Sequence, residues 1–113
     1  MIAALALAAT FNLLCTGTRT THEDREPPRI EPFSETYRID LAAGRWCKGA
    51  CKETTAIRSH DAKSILLEDF SPTNLFTHID RETGAIYRTA RLTVSEEGFC
   101  EPRPFSGFPP RRF

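Results

Sequence analysis

The chain has 113 residues, with 15 basic and 15 acidic side chains and a formal net charge of zero. That length suits one domain, and the balanced charge supplies no long-range field to steer it onto nucleic acid or an anionic membrane. The arginines and lysines are scattered and form no basic stripe, so no nucleic-acid partner is expected.

Residues 1–14, MIAALALAATFNLL, carry no charge. The run from Ile2 to Leu14 is too short to span a bilayer as a helix and has the length of a secretory hydrophobic region. An N-terminal signal helix is therefore expected. Cys15 and Gly17 are small residues in the right positions for cleavage after Gly17, which makes 1–17 the signal peptide. The alternative is a lipoprotein signal over 1–14 with Cys15 lipidated, although Leu14 departs from the small residue that normally precedes a lipidated cysteine. A lipid anchor at Cys15 would be the only attachment to membrane. Residues 18–35 are polar, charged and proline-rich, the composition of a flexible linker. Either signal directs the protein to the periplasm or outer membrane.

The remainder, 36–113, is expected to form a single β domain. TYRIDL places Tyr37, Ile39 and Leu41 on one side and Arg38 and Asp40 on the other, the period of a half-buried strand. Ala42-Ala43-Gly44 turns the chain and Arg45 to Lys48 continues it. A short strand is predicted over 53–58, a buried one over SILLEDF (64–70), and another over 74–80. The last of these forms a hairpin with 85–94 across the DRETG loop. Arg88 interrupts the apolar row of that hairpin, which places it near the hairpin end, in reach of water. Glu96-Glu97-Gly98 reads as a turn, and Phe99 to Glu101 as a final short strand. The tail, PRPFSGFPPRRF, holds four prolines and cannot remain regular for long. No long segment has a helical period. The predicted fold is mainly β, an antiparallel meander of five or six strands that can curl into a small half-barrel. Trp46, Phe99, Phe105 and Phe108 are available to cover its faces.

Four cysteines punctuate the chain. In an exported protein they are read as disulfides, and a small core benefits from such a staple. Joining Cys51 to Cys100 closes a loop worth on the order of 4 kcal/mol in the chain-entropy account; Cys47 is the alternative partner. A Cys47–Cys51 bond would contribute roughly half as much. It also needs a turn at Gly49, because residues four apart in a straight strand stand about 13 Å from each other. With Cys15 removed or lipidated, one thiol is left over. Cys-x3-Cys is not zinc-knuckle spacing, nor is it the Cys-x-x-Cys of a redox helix. No metal or other cofactor is implied.

Candidate catalysts are sparse. His22 falls in the linker, His60 in a loop and His78 on a strand beside Phe76. The acid pairs Glu68-Asp69, Asp80 with Glu82, and Glu96-Glu97 sit where solvated turns are expected. Ser106 lacks the strand-turn-helix frame of a nucleophile elbow, and no glycine loop cradles phosphate. No catalytic residue is assigned and an enzyme is not expected. The Pro-Phe tail serves either as a cover for the sheet or, through Phe105 and Phe108, as a contact for a partner such as an envelope protein.

The segments IDLAAGRWCKGAC, IDRETG and GFCEPRPFSGFP resemble small exported proteins of unknown function from alphaproteobacteria. The resemblance covers about 36–110 and rests on the Trp-Cys-x3-Cys and Cys-x3-Pro-Phe-Ser-Gly-Phe-Pro patterns. It implies export and a β-rich domain and carries no catalytic residue. The expectation is a non-enzymatic envelope protein, an interaction or structural module. The alternative is a small periplasmic ligand-binding protein or an inhibitor of an envelope enzyme.

Overall fold

A computed structural model describes residues 9–109. Nine strands form one antiparallel sheet: β1 (Thr10–Thr21), β2 (Arg29–Asp40), β3 (Arg45–Lys48), β4 (Thr55–Ala56), β5 (Ser59–His60), β6 (Ser64–Phe70), β7 (Leu75–Asp80), β8 (Ala85–Ala90) and β9 (Val94–Arg103). Their order in the sheet is β4-β3-β2-β1-β9-β8-β7-β6-β5. Every strand pairs with its sequence neighbour except at one break, and the first strand pairs with the last. The break lies between β4 and β5, the two margins of the sheet, and only Ile57 and Arg58 lie between them. Three Cα steps reach at most about 11 Å, so the margins must approach and the sheet must curl into a half-barrel.

The concave face holds the core. Phe11, Leu13 and Cys15 of β1, Phe33, Tyr37 and Ile39 of β2, and Trp46 of β3 meet Ile65 and Leu67 of β6, Ile79 of β7, Ile86 of β8 and Cys100 of β9. These positions alternate along each strand, as a sheet with one buried face requires. Tyr37 and Trp46 stack at 5.9 Å between centroids. Directly opposite one another in β1 and β9 are Cys15 and Cys100, then Gly17 and Gly98. A Cβ on Gly17 would run into the Glu97 carbonyl, and one on Gly98 into that of Thr16. Only glycine lets the two central strands approach so closely.

Several expectations are corrected. Among the described residues the sheet has nine strands, not five or six. Residues 18–35, read as a flexible linker, are mostly strand, because their polar side chains face water or pair with one another in register. Of the signal region, residues 1–8 lie outside the described residues, whereas Thr10 to Gly17 belong to the central strand rather than to a helix. Cys15 is fully buried in a bond to Cys100, so it carries no lipid here. Cys51 bonds not to Cys100 but to Cys47. Gly49 at φ +60° and Cys51 at φ +54° supply the turn that this short loop needs. No thiol is left over, since all four cysteines are paired. Glu96-Glu97-Gly98 is not a turn but the middle of β9. The chain reverses instead at Arg91–Thr93, with Arg91 at φ +57° and Leu92 exposed.

The tail folds back on the convex face, as a cover. Asn12 donates from Nδ2 to Ser106 Oγ (2.9 Å) and accepts from the Ser106 amide (3.2 Å), while Arg38 donates to the Gly107 carbonyl (3.1 Å). The disulfides are compatible with an oxidising compartment. Among the described residues no helix is long and apolar enough to cross a membrane.

Cys15 and Cys100 are 85 residues apart and Cys47 and Cys51 four. Replacing the first pair by alanine is expected to lower unfolding free energy by about 4.5 kcal/mol in urea titration, and the second by about 2 kcal/mol. Asp61 and Asp80 each accept two backbone amides at the start of a turn. These bonds, chiefly from Lys63 to Asp61 and from Thr83 to Asp80, hold both carboxyls below the usual carboxylate range. A carboxyl depressed in the folded state stabilises above its unfolded pKa, and that contribution is lost as pH falls through the folded value. The thermal midpoint should therefore drop on acidification below about pH 4. Asp80→Asn, which keeps the accepting oxygen, should flatten the drop.

Candidate functional site

The register assembles a row of polar side chains across the concave face. Glu31 of β2 lies opposite Arg19 of β1, Arg19 opposite Glu96 of β9, Glu96 opposite Arg88 of β8, Arg88 opposite Thr77 of β7, and Thr77 opposite Glu68 of β6. Directly opposed residues are the contact unit of a sheet, and four of these five pairs join a donor to an acceptor. Arg19 Nε lies 2.6 Å from Glu96 Oε2, and Arg88 Nη1 lies 3.2 Å from Glu96 Oε1. Arg19 Nη1 reaches Glu31 at 3.9 Å, and the buried Thr77 hydroxyl donates to Glu68 Oε2 at 2.9 Å. Glu68 reaches this face through a bulge: the register shifts between Leu66 and Glu68, so that Leu67 and Glu68 both face inward. The Glu96 side chain is 5% exposed and that of Arg88 15%. A carboxylate so buried is tolerable only when paired, and Glu96 has one guanidinium on each oxygen. The same bond holds Arg19 firmly protonated.

Arg19, Glu96 and Arg88 of this row floor a cavity of about 580 Å³ at the open end of the half-barrel. Leu75, Ala90 and Val94 form an apolar side. Lys48 and Glu35 enter from β3 and β2, and Arg91, Thr93 and Thr73 make the rim. The Lys48 ammonium lies 6.0 Å from the centre of the Tyr37 ring and, among the described residues, has no carboxylate within ion-pair distance. Desolvation, with Arg88 nearby, lowers its pKa. Burial pushes the Tyr37 phenol far up, keeping it protonated. Two buried donors beside this floor, Tyr37 Oη and Arg88 Nε, have no protein partner. A wider trough of about 720 Å³ runs between Phe108–Pro109 and the β3–β4 loop. Its Lys52 and Glu53 are exposed.

The residues singled out in the sequence are dispersed. Cys15, Cys47, Cys51 and Cys100 are structural disulfides. Phe105 and Phe108 stand edge to face at 5.2 Å, both half-buried. His60 is exposed on β5. His78 stacks on Phe76 at 6.4 Å, on the convex face. Ser106 is tied to Asn12. Among the described residues, no three of His, Cys, Asp or Glu cluster as metal ligands would. The sequence pattern does not mark the site's own residues: Arg19, Glu31 and Glu35 fall in the expected linker, and Glu96 in an expected turn. Arg88, breaking an apolar row, was the one signal. It points inward to Glu96, not out to water. Comparison with known protein families, curated proteins and solved structures finds no match for this chain.

The Arg19–Glu96–Arg88 contact gives a clear expectation. Glu96→Leu should destabilise by roughly 3 kcal/mol, because it leaves the mostly buried Arg88 unpaired. Glu96→Leu with Arg88→Met should be less destabilised than Glu96→Leu alone, as read by a double-mutant cycle in urea.

Proposed function

We propose that this protein is an exported, non-enzymatic binding module whose half-barrel mouth takes a small anionic ligand with an apolar body. The observation that carries this is the composition of the cavity: an apolar side of Leu75, Ala90 and Val94 faces cations in excess of anions. Arg19, Lys48, Arg88 and Arg91 line it against only Glu35 and Glu96, and Glu96 is already held by two arginines. Lys48 and Arg91, which have no carboxylate partner among the described residues, remain for an incoming anion. Mostly apolar concavities with a few convergent polar groups are the usual form of small-molecule sites. The two disulfides are compatible with an oxidising address, and the periplasm or outer membrane is the proposed one.

A second reading, a module docking on an envelope protein, is favoured by the convex face. Tyr87 (41% exposed) and Phe99 (64% exposed) lie there near Phe76 and His78. Phe99→Ser would abolish such docking and leave the mouth intact.

The test uses Trp46, the single tryptophan, which stacks on Tyr37 next to Lys48. Titration with aryl carboxylates and alkyl phosphates should shift its emission, and the matched neutral amides should not. Lys48→Met should weaken binding tenfold or more, since a charge-assisted hydrogen bond contributes about 1.5–3 kcal/mol. Equal binding of acids and amides, or none of either, would refute the reading.

A further inference from the structure

We propose that Lys48 is a carbonyl-capturing amine: it forms a reversible imine with a small aldehyde or keto compound whose carboxylate sits among the arginines of the mouth. This rests on the mouth being a ligand site and goes beyond it by assigning a covalent step to one atom, Lys48 Nζ.

Three features of the geometry single out this amine. The chain has only three lysines, and the other two, Lys52 and Lys63, are exposed. Lys48 is the one that lines the cavity. Its ammonium is also uncompensated. Of the carboxylates that face it, Glu96 on β9 is held by Arg19 and Arg88, and Glu68 on β6 accepts from Thr77. Glu35 on β2 has no ion pair or hydrogen bond with another described side chain and stays beyond ion-pair distance from Lys48. On the other sides of Lys48 stand the guanidinium of Arg88 on β8 and the face of Tyr37, whose buried hydroxyl has no partner.

An amine is nucleophilic only when neutral. Half-burial and the Arg88 charge favour the neutral form and outweigh the opposing pull of Glu68, Glu96 and Glu35, so its pKa falls. Desolvation beside another cation is a known way to activate a lysine for imine formation.

The step balances without any redox partner. The Lys48 nitrogen attacks the carbonyl carbon, a C–N bond forms, and the carbonyl oxygen takes a proton to give a carbinolamine. That hydroxyl then leaves as water while the nitrogen gives up its remaining proton, leaving the imine. Glu35, the uncommitted carboxylate of the cavity, carries the proton between nitrogen and oxygen. The carboxylate of the captured compound is held by Arg91 at the rim, which sets the carbonyl toward β3.

The test treats the full chain with 4-carboxybenzaldehyde and sodium cyanoborohydride at neutral pH and maps the reduced adduct by peptide mass. Calorimetry with 4-carboxybenzyl alcohol, which cannot form an imine, measures non-covalent binding separately. One adduct is expected, at Lys48, at least tenfold over Lys52 and Lys63. Its selectivity should shrink as pH is raised toward the ordinary lysine range, where all three amines become neutral. Glu35→Gln should slow its formation at least tenfold, while the loss of a negative charge from the cavity should tighten binding of the alcohol. Alcohol binding with equal labelling of the three lysines, or with none, would overturn the imine and leave the ligand site standing. Absence of both alcohol binding and selective labelling would overturn both. Because the readout is selectivity within the unaltered protein, it does not depend on a variant folding.

Discussion

The pairing of the first strand with the last is the constraint on which the rest of this protein depends. β1 lies between β2 and β9 at the centre of the sheet. This contact turns an open meander into a near-ring and leaves β4 and β5, neighbours in sequence, as its margins. Two local features make the contact. Gly17 and Gly98 let the strands approach with no side chain between them, and Cys15–Cys100 bonds the next inward-facing pair. Bringing chain ends together from this distance costs loop entropy, which the disulfide removes from the unfolded state in the chain-entropy account.

Curling the sheet divides its concave face into two zones. Toward Phe11, Ile39, Trp46, Ile65 and Ile79 the strands bury hydrocarbon and the ring is nearly closed by β4 and β5. Toward Arg19, Lys48 and Arg88 no strand of the described residues fills the space between β3 and the far end of β6, and the polar row forms the boundary. That row is costly to bury and stable only as a connected set, because each member stripped of its partner would leave a charge or hydroxyl desolvated. Its cross-strand register fixes Arg19, Glu96 and Arg88 in place. Above them, Lys48, Glu35 and Arg91 complete the lining.

Much of the fold was legible locally. TYRIDL, SILLEDF and NLFTHID announce their strands by alternation, and Arg45–Lys48 and the 64–70 strand fall where the pattern places them. The site was not legible, for a physical reason visible in particular residues. Glu96-Glu97-Gly98 has the composition of a turn, yet Glu96 faces two arginines from other strands and Gly98 faces Gly17. The charges of 18–35 look solvated until Arg19 meets Glu96 across 77 residues of chain. The cysteines were misassigned because Cys15 was read as part of a leader, which removed the true partner of Cys100.

By itself the sequence determined the β character, the balanced charge and the turn at Gly49 that permits Cys47–Cys51, because these depend on periodicity and backbone freedom within a few residues. The tertiary structure alone decided the circular strand order, the Cys15–Cys100 bond and the charged floor of the mouth. Each of those is a contact between residues far apart in the chain, and an isolated charge or glycine carries no mark of the partner that will face it.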